Sequence, residues 1–546
     1  MKIALAQLNY HIGNFESNTE KIINAIKKAK SGKADLVVFA ELAVCGYPPR
    51  DFLEFTEFIE LCEDSVKQIA DVCHDIACII GVPTRNPRTE GKDLFNSACF
   101  IEDGKVKAVV NKALLPTYDV FDEYRYFEPS PEFSCVVFKG KKIALTICED
   151  LWNINDNPLY ITSPMDQLIK DNPDVMINIA ASPFAYNHDD NRVKVLSDNS
   201  KKYHLPLLYV NQVGAQTEII FDGGSFVFDA EGKMLDQLKY FEEDLRCYEF
   251  EDGEFVGLHP VEYHPLPDIE QIHEGLILGI RDYFAKSGFS KAVLGLSGGI
   301  DSAVVCALAA EALGAENVTA VLMPSKFSTD HSIKDALDLV KNLGCQHYVV
   351  PIKEAADAFE HMLHPAFQGL PFNVTEENIQ ARCRAIVVMA FSNKFGYILL
   401  NTSNKSECAV GYGTLYGDMA GAISVLGDVY KTQVYLLARH MNRNREIIPV
   451  NSIIKPPSAE LRPGQKDSDS LPDYDILDRL LYQYIELKKS SRDIIAQGFD
   501  EELVRKVIKM VNRAEFKRYQ TPPILRVSPK AFGMGRRMPI VGKYLS

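Results

Sequence analysis

Short apolar runs alternate with amphipathic stretches through the first half of the chain. The apolar runs are rich in β-branched residues and have the length of strands, so they predict a series of β-strands. These predicted strands cover residues 2–8, 35–40, 78–83, 96–102, 106–111, 134–138, 142–148, 174–180, 206–211 and 224–229. A helical period predicts helices at 18–31, 54–74 and 189–204. Strands mixed with helices in this way indicate a layered α/β fold.

The second half of the chain restarts as regular strand–helix units. Predicted strands and helices alternate at 268–287 (helix), 292–296 (strand), from 301 (helix), 318–323 (strand), 329–343 (helix), 346–350 (strand) and 375–394 (helix). Alternation at this spacing predicts a doubly wound, Rossmann-like parallel sheet.

A stretch without periodicity separates the two halves. It is acidic and then rich in proline, which is typical of a connecting segment. We therefore expect a first domain at 1–245, a linker at 246–270 and a second domain at 271–546. Residues 455–475, rich in Pro, Asp and Ser, predict a long loop within the second domain.

Composition narrows the class of protein. A chain of 546 residues exceeds one hydrophobic core, and its net charge of −15 argues against a general binder of nucleic acid or anionic membranes. No apolar run approaches the ~18 residues that a membrane span requires, and the N-terminus turns polar too early for a signal peptide. The 12 cysteines are scattered without a Cys-x-x-Cys pair. We therefore expect a cytoplasmic protein without structural disulfides or a zinc site.

A loop rich in glycine and serine joins a predicted strand to a predicted helix at 296–302, Leu-Ser-Gly-Gly-Ile-Asp-Ser. Its glycines let the backbone approach a ligand, and the helix start offers free N–H groups to an anion. Asp301 is a candidate ligand for Mg²⁺ on the same phosphates. The alternative is a generic tight turn. The motif resembles the pyrophosphate loop of the ATP pyrophosphatases, which cleave ATP to AMP and pyrophosphate while adenylating a substrate.

Later motifs narrow this resemblance. They lie at 376–382, 400–407, 411–418, 428–432, 455–461 and 515–518. Each alone is compatible with surface polarity or helix capping, but in this order they resemble the NAD synthetase domain family over 275–546. The resemblance implies ATP binding by Gly295, Leu296, Ser297, Gly298, Gly299, Ile300, Asp301, Ser302, Thr402, Lys431 and Ser458. It implies deamido-NAD⁺ binding by Asn378, Glu407 and Lys517, and Mg²⁺ binding by Asp301 and Glu407.

Two positions depart from that family's pattern. Residue 403 is Ser where Gly is expected, and residue 326 is Lys where Arg is usual. Lysine lacks the planar fork with which arginine binds phosphate, so the second departure leaves a phosphate contact at Lys326 open.

Three polar residues of the first domain follow predicted strands: Glu41, Lys112 and Cys148. A thiol can attack the side-chain amide of glutamine, a carboxylate can take the thiol proton and return it to ammonia, and a lysine can stabilise the oxyanion. The alternatives are a small core cysteine and solvated charges at strand ends.

The sequence contexts of these three residues, at 39–51, 111–118 and 147–152, resemble the three motifs of the nitrilase superfamily over 1–245. The resemblance implies an αββα sandwich, with Glu41, Lys112 and Cys148 as catalytic residues. It implies that Glu123 is a supporting glutamate and that Tyr118 and Ser182 contact glutamine. His188 occupies a position where the family often has a basic residue, so it is a further candidate contact for glutamine.

Together the two resemblances imply one reaction on small molecules. L-glutamine is hydrolysed in the first domain, and the ammonia amidates deamido-NAD⁺ in the second domain after ATP, with Mg²⁺, has adenylated its carboxylate. They also imply a homo-oligomer. One alternative is another amidotransferase with the same loop, such as a GMP synthetase. Another is a nitrilase-like scaffold whose second half is a nucleotide-binding regulator.

Overall fold

The computed structural model describes residues 1–154 and 158–544. These residues form two compact units, Met1–Leu266 and Pro267–Ser546.

The first unit contains strands and helices in mixed order. Its strands are β1 (Lys2–Gln7), β2 (Leu36–Val38), β3 (Ala77–Arg85), β4 (Leu94–Glu102), β5 (Lys105–Asn111), β6 (Val136–Phe138), β7 (Lys141–Ile147), β8 (Val175–Ala180), β9 (Leu207–Asn211), β10 (Val213–Gln216), β11 (Ile219–Asp222), β12 (Phe226–Phe228), β13 (Met234–Gln237), β14 (Asp244–Glu251) and β15 (Glu254–Phe255). Its helices are α1 (Phe15–Ser31), α2 (Thr56–Ala70), α3 (Pro164–Leu168) and α4 (Asp189–Tyr203).

The larger strands form two sheets in the first unit. One sheet has the order β15-β14-β1-β2-β3-β4-β5 and the other β13-β12-β9-β8-β7-β6, while β10 and β11 pair separately. Along β1, Ile3 and Leu5 belong to the core shared with the second sheet, whereas Ala4 and Ala6 belong to the core that includes residues of α1 and α2. Because alternate residues of a strand point to opposite faces, this division places α1 and α2 on the outer face of the first sheet. The αββα sandwich is confirmed.

The end of the first unit differs from the predicted linker. Strand β14 runs across position 245 and pairs antiparallel with β1 over the full length of β1. This edge of the sheet is only partly covered, so β14 can carry charged residues. The strand was not predicted because its sequence contains four of them, Asp244, Arg246, Glu249 and Glu251. Further along, the backbone N–H of Val261 donates to the carbonyl of Met234 at 2.8 Å, so this part of 246–270 is also bound to the first unit.

The second unit follows the predicted order of strands and helices as far as the strand near 346–350. The helix predicted at 375–394 is also present, but the helix Lys353–Phe367 before it was not predicted. The strands of this unit are β16 (Ala292–Gly295), β17 (Val318–Leu322), β18 (Gln346–Val349), β19 (Ile398–Asn401) and β20 (Ile423–Ser424). Its helices are α5 (Asp268–Ser287), α6 (Ile300–Leu313), α7 (Asp330–Leu343), α8 (Lys353–Phe367), α9 (Val374–Phe395), α10 (Lys405–Val410), α11 (Lys431–Met441), α12 (Val450–Ile454), α13 (Tyr474–Ile485), α14 (Ser491–Ala496), α15 (Glu501–Arg513) and α16 (Glu515–Arg518).

The sheet of the second unit is parallel, in the order β18-β17-β16-β19-β20. The order reverses at β16, so the loop that leaves β16 lies at the point where ligands bind in open α/β sheets. The Rossmann-like fold is therefore confirmed. A separate apolar core forms among α10, α13 and α15, and includes Leu480, Val507 and Val511.

Candidate active sites

Cys148 lies directly after β7, in a short 3₁₀ turn at Cys148–Leu151. Its φ of 43° is in the left-handed region, which costs energy for a residue with a side chain and is common at functional sites. Asp150 holds this turn: one carboxylate oxygen accepts the N–H of Ile147 at 3.0 Å, and the other accepts those of Ala113 and Leu114 at 3.0 and 2.9 Å. The turn is thereby fixed to the residues that follow Lys112.

A buried network joins Glu41, Lys112 and Glu123. The Lys112 ammonium donates to Glu41 at 2.7 Å and to both oxygens of Glu123 at 2.8 Å. Asn96 donates to Glu41 at 2.6 Å, and the Tyr47 hydroxyl donates to Glu123 at 2.8 Å. The network therefore fixes the positions of all three charged groups.

The charges of this network act on Cys148. Burial raises the pKa of the Cys148 thiol well above its usual value, Glu41 adds to the rise and Lys112 opposes it. Burial also raises the pKa of Glu123 to about 7, although Lys112 opposes this. Burial lowers the pKa of Lys112, but Glu123 and Glu41 outweigh it, so that pKa is well above its usual value. The thiol is therefore protonated at neutral pH and requires a base to become a nucleophile.

Tyr118 belongs to a second polar group beside Cys148. Its hydroxyl donates to the carboxylate of Glu149 at 3.0 and 2.9 Å, and Tyr160 donates to the same carboxylate at 3.1 Å. Burial raises the pKa of Glu149. Neither Glu149 nor Tyr160 is among the site residues predicted from the sequence. The position of Glu149 next to the cysteine was the available signal for that residue, whereas nothing in the sequence pointed to Tyr160.

Ser182 and His188 occupy the segment between β8 and α4. The N–H of Ala181, the residue before Ser182, donates to Glu41 at 3.0 Å, which places Ser182 beside the charged network. The ring of His188 stacks on Trp152, with centroids 5.3 Å apart and an interplanar angle of 20°. Trp152 follows the cysteine turn directly, so His188 also lies near that turn.

A buried arginine anchors the start of α4, directly after this segment. Arg192 donates to both oxygens of Asp222 at 2.9 and 2.5 Å, and to Asp189 at 3.1 and 2.5 Å. The other oxygen of Asp189 accepts the hydroxyls of Tyr240 and Tyr263, the latter at 2.5 Å. A bidentate, fully hydrogen-bonded ion pair of this kind fixes geometry more than it adds stability.

The glycine- and serine-rich loop of the second unit joins β16 to α6. Gly298 has a φ of 81°, and a Cβ there would lie 2.1 Å from the carbonyl oxygen of Ser332. Only glycine fits this position. The Ser302 hydroxyl accepts the N–H of Ser297 at 3.2 Å, and the Ser297 hydroxyl accepts the N–H of Gly299 at 3.2 Å. The two serines therefore shape the loop from inside.

Asp301 and Glu407 face a common point. The Lys431 ammonium forms an ion pair with Asp301 and lies 3.7 Å from Glu407. Asn404 donates to Asp301 at 2.9 Å, and its side-chain oxygen accepts the N–H of Glu407 at 3.0 Å. Burial, and then the charge of Asp301, raises the pKa of Glu407 to about 8, against the effect of Lys431.

A cavity of about 310 Å³ opens at this edge of the sheet. The predicted ATP-binding residues that line it are Gly295, Leu296, Ser297, Gly299, Ile300, Asp301, Ser302, Thr402, Lys431 and Ser458. Glu407 lines it as well. Asn378 accepts a hydrogen bond from Thr414 at 2.7 Å, and Lys517 donates to the carbonyls of Gly411 and Gly413, both at 2.7 Å. These two candidates therefore hold the glycine-rich loop at 411–418.

The arrangement of donors fits a Mg²⁺ ion bound together with a nucleotide. Within residues 1–154 and 158–544, no group of three or more His, Cys, Asp or Glu side chains is arranged to hold a metal alone. Mg²⁺ is commonly held by one or two carboxylates plus substrate phosphates, and Asp301 and Glu407 supply two carboxylates beside the loop. The Lys431 ammonium, which pairs with Asp301 and lies 3.7 Å from Glu407, shows that both side chains face one positive charge.

Comparison with protein families assigns each unit separately. Residues 2–251 match the carbon–nitrogen hydrolases, and residues 272–521 match NAD synthase. The fold, the two sites and these matches define the class of protein as a carbon–nitrogen hydrolase joined to an NAD synthase.

Similar full-length proteins define the family. The glutamine-dependent NAD(+) synthetase of Synechocystis sp. is 46% identical over 98% of both chains, and that of Acinetobacter baylyi is 44% identical over 99% of this chain and 98% of its own. The solved structure of the glutamine-dependent NAD⁺ synthetase from Acinetobacter baumannii in complex with ADP is 41% identical, covers 100% of this chain and 99% of its own, and has a TM-score of 0.79. The chain belongs to the glutamine-dependent NAD(+) synthetase family, whose members are ligases.

Proposed function

We propose that the protein makes NAD⁺ from deamido-NAD⁺, using ATP and the amide nitrogen of L-glutamine, with glutamate, AMP and pyrophosphate as co-products. The observation that carries this proposal is the pairing, in one chain, of two sites. One is a buried thiol that the charges of Glu41 and Lys112 influence, and the other is a phosphate-type loop that opens into a cavity with Asp301 and Glu407. A GMP synthetase-like activity is disfavoured because residues 272–521 match NAD synthase and a relative named as a glutamine-dependent NAD(+) synthetase matches 98% of the chain.

The first half-reaction uses the charged network around Cys148. Glu41 takes the proton from the thiol, and Sγ attacks the side-chain amide carbon of glutamine. The proton returns from Glu41 to the leaving nitrogen, ammonia departs and a thioester remains, which water then hydrolyses to glutamate. Lys112 offsets the negative charge that develops on the carbonyl oxygen. Glu123 orients Lys112 through its two hydrogen bonds of 2.8 Å.

Glutamine also carries an ammonium and a carboxylate at its α-carbon, and both require partners. Glu149 offers a buried carboxylate next to Cys148, already oriented by Tyr118 and Tyr160, and it is suited to bind the ammonium. Ser182 and His188 lie in the segment proposed to bind the rest of the molecule.

Replacing Glu149 with Gln is expected to raise KM for glutamine roughly tenfold to a hundredfold, because a hydrogen-bonded charge pair with the substrate is lost. Initial rates of glutamate release at varied glutamine concentration measure the effect, and synthesis from ammonium chloride should stay unchanged. Glu60, an exposed carboxylate on α2, provides the matched control Glu60→Gln. An unaltered KM in Glu149→Gln would refute this role.

The second half-reaction takes place in the cavity of the second unit. The loop residues from Gly295 to Ser302, together with Thr402 and Ser458, bind ATP, and Asn378, Glu407 and Lys517 bind deamido-NAD⁺. Asp301 and Glu407 would hold a bound Mg²⁺, which would neutralise phosphate charge. Lys431 offsets charge on the leaving pyrophosphate after the substrate carboxylate attacks the α-phosphorus. Ammonia then displaces AMP from the adenylate.

The setting of the protein is proposed to be the cytoplasm, with a homo-oligomeric assembly. The cysteines in the described part of the chain are all free, which suits a reducing compartment. Within that same part, no helix combines the length and the apolar character that crossing a membrane requires.

One assay tests the proposed reaction against its alternatives. The protein is incubated with ATP, Mg²⁺ and glutamine plus either deamido-NAD⁺ or xanthosine monophosphate, and the products are separated by chromatography. We expect NAD⁺, AMP and glutamate in the first mixture and no GMP in the second. GMP formation would establish the rival synthetase, and the absence of both products in folded protein would favour a regulatory nucleotide-binding scaffold.

A further inference from the structure

Arg384 lines the cavity of the second unit without an anionic partner. It projects from α9, and its Nε donates to the carbonyl oxygen of Met323 at 3.2 Å, just past the end of β17. Its two terminal nitrogens form no hydrogen bond or ion pair with any residue in 1–154 and 158–544. An arginine has five N–H donors, so most of the hydrogen-bonding capacity of Arg384 is unused within the protein.

The other cations that line this cavity are neutralised. Lys431 pairs with Asp301, and Lys455 pairs with Asp335 at 3.2 Å. In the described part of the chain, Arg384 is therefore the cation of this cavity that has no carboxylate within ion-pair distance. A positive charge of this kind attracts an anionic ligand.

Retaining an unpaired cation in a partly buried place is costly unless something else offsets the cost. Burial lowers the pKa of the Arg384 guanidinium, and the more distant Asp418 and Glu460 oppose this. Neither carboxylate reaches it. Arg384 is thus poorly compensated in the ligand-free protein, a pattern that is typical of residues whose partner is a ligand.

Lys326 was the other candidate for a phosphate contact. Its ammonium lies 3.3 Å from Glu360 and 3.9 Å from Asp357, so it is engaged with carboxylates of α8. Lys326 is therefore neutralised in the ligand-free protein, and it is not among the residues that line the cavity.

We propose that Arg384 binds phosphate oxygens of a nucleotide ligand in this cavity through its two free terminal nitrogens. The planar guanidinium matches two oxygens of one phosphate, which an ammonium cannot do. The inference rests on the proposed function, under which both ATP and deamido-NAD⁺ bring phosphates to this site. The shared chemistry is a nucleotide phosphate, and binding measurements with each nucleotide distinguish the two sources.

The experiment measures binding by titration calorimetry on the full chain, with ADP and, separately, with deamido-NAD⁺, both in the presence of Mg²⁺. We expect Arg384→Gln to weaken binding of at least one of them by about tenfold to a hundredfold, which corresponds to the loss of a charge-assisted contact. Arg384→Lys should recover only part of this loss. Lys394→Gln, which removes an exposed charge on the same helix, is the matched control and should bind both nucleotides as the wild type does.

Thermal unfolding of the ligand-free proteins separates binding from a structural role. Because its charge is unpaired and the hydrogen bond from Nε to Met323 is the one that the substitution removes within the described part of the chain, Arg384→Gln should change the ligand-free Tm by no more than a few degrees. Weaker ADP binding assigns the phosphate to ATP, and weaker deamido-NAD⁺ binding assigns it to the dinucleotide. Wild-type affinity for both nucleotides, or a large decrease in the ligand-free Tm accompanying any loss of binding, would overturn the proposal. Failure of the wild type itself to make NAD⁺ would instead count against the proposed function.

Discussion

Cys148→Ala is expected to reduce glutamine-dependent NAD⁺ synthesis by more than about a thousandfold while leaving synthesis from ammonium chloride near the wild-type rate, because the covalent route is lost. In the proposed reaction the thiol serves only the first half-reaction. Parallel assays of NAD⁺ formation with each nitrogen source measure the effect.

The matched control for this variant is Cys135→Ala, which removes a partly buried thiol that donates to the carbonyl of Leu168 and lies outside the charged network around Cys148. The control should support both activities. Loss of the ammonia-dependent activity in a folded Cys148→Ala protein would contradict the division of labour between the two units.

Asp301→Asn is expected to lower NAD⁺ formation about a thousandfold with either nitrogen source, because a proposed Mg²⁺ ligand and the partner of Lys431 are lost together. Asn404 donates to the same carboxylate, so the side chain is held from two sides and asparagine preserves its shape. Steady-state rates at increasing Mg²⁺ concentration measure the effect.

Asp338→Asn is the control for this second variant. Asp338 lies on α7 in an exposed pair with Lys334, and such surface pairs contribute about 1 kcal/mol or less. Its activity should match that of the wild type. Wild-type turnover of Asp301→Asn at saturating Mg²⁺ would show that Asp301 is neither a metal ligand nor required to hold Lys431.

Much of the fold was predictable because strands that are buried on both faces consist mainly of apolar residues. Strands such as β1, β3 and β7 are almost continuously apolar, and they appear in the sequence within one or two residues of their observed bounds. Strands β14 and β15 escaped prediction because charged residues occupy the partly covered edge of the sheet. Strand β14 is stabilised by β1, which lies more than 230 positions away in the chain, so local sequence carries little information about it.

The site residues that were predicted lie either directly after a predicted strand or inside a compact motif. Glu41 and Cys148 follow predicted strands, and Asp301 lies in the compact motif at 296–302. Tyr160 and Arg384 lie in neither kind of position, because they reach their sites from a loop and from the middle of a helix. A polar residue in an amphipathic helix looks the same in the sequence whether it faces solvent or a cavity, and only the three-dimensional structure distinguishes the two.

The hydrogen bond from Tyr263 to Asp189 affects where a fragment that contains only the first unit should end. The similarity to the carbon–nitrogen hydrolases ends at residue 251, but Tyr263 reaches back to the aspartate that orients Arg192 at the start of α4. A glutaminase fragment ended at 251 would lack one of the two tyrosine hydroxyls that satisfy this buried carboxylate. A fragment that retains the complete anchor extends at least to Tyr263, inside the compact unit that ends at Leu266, and is therefore longer than the part that sequence similarity identifies.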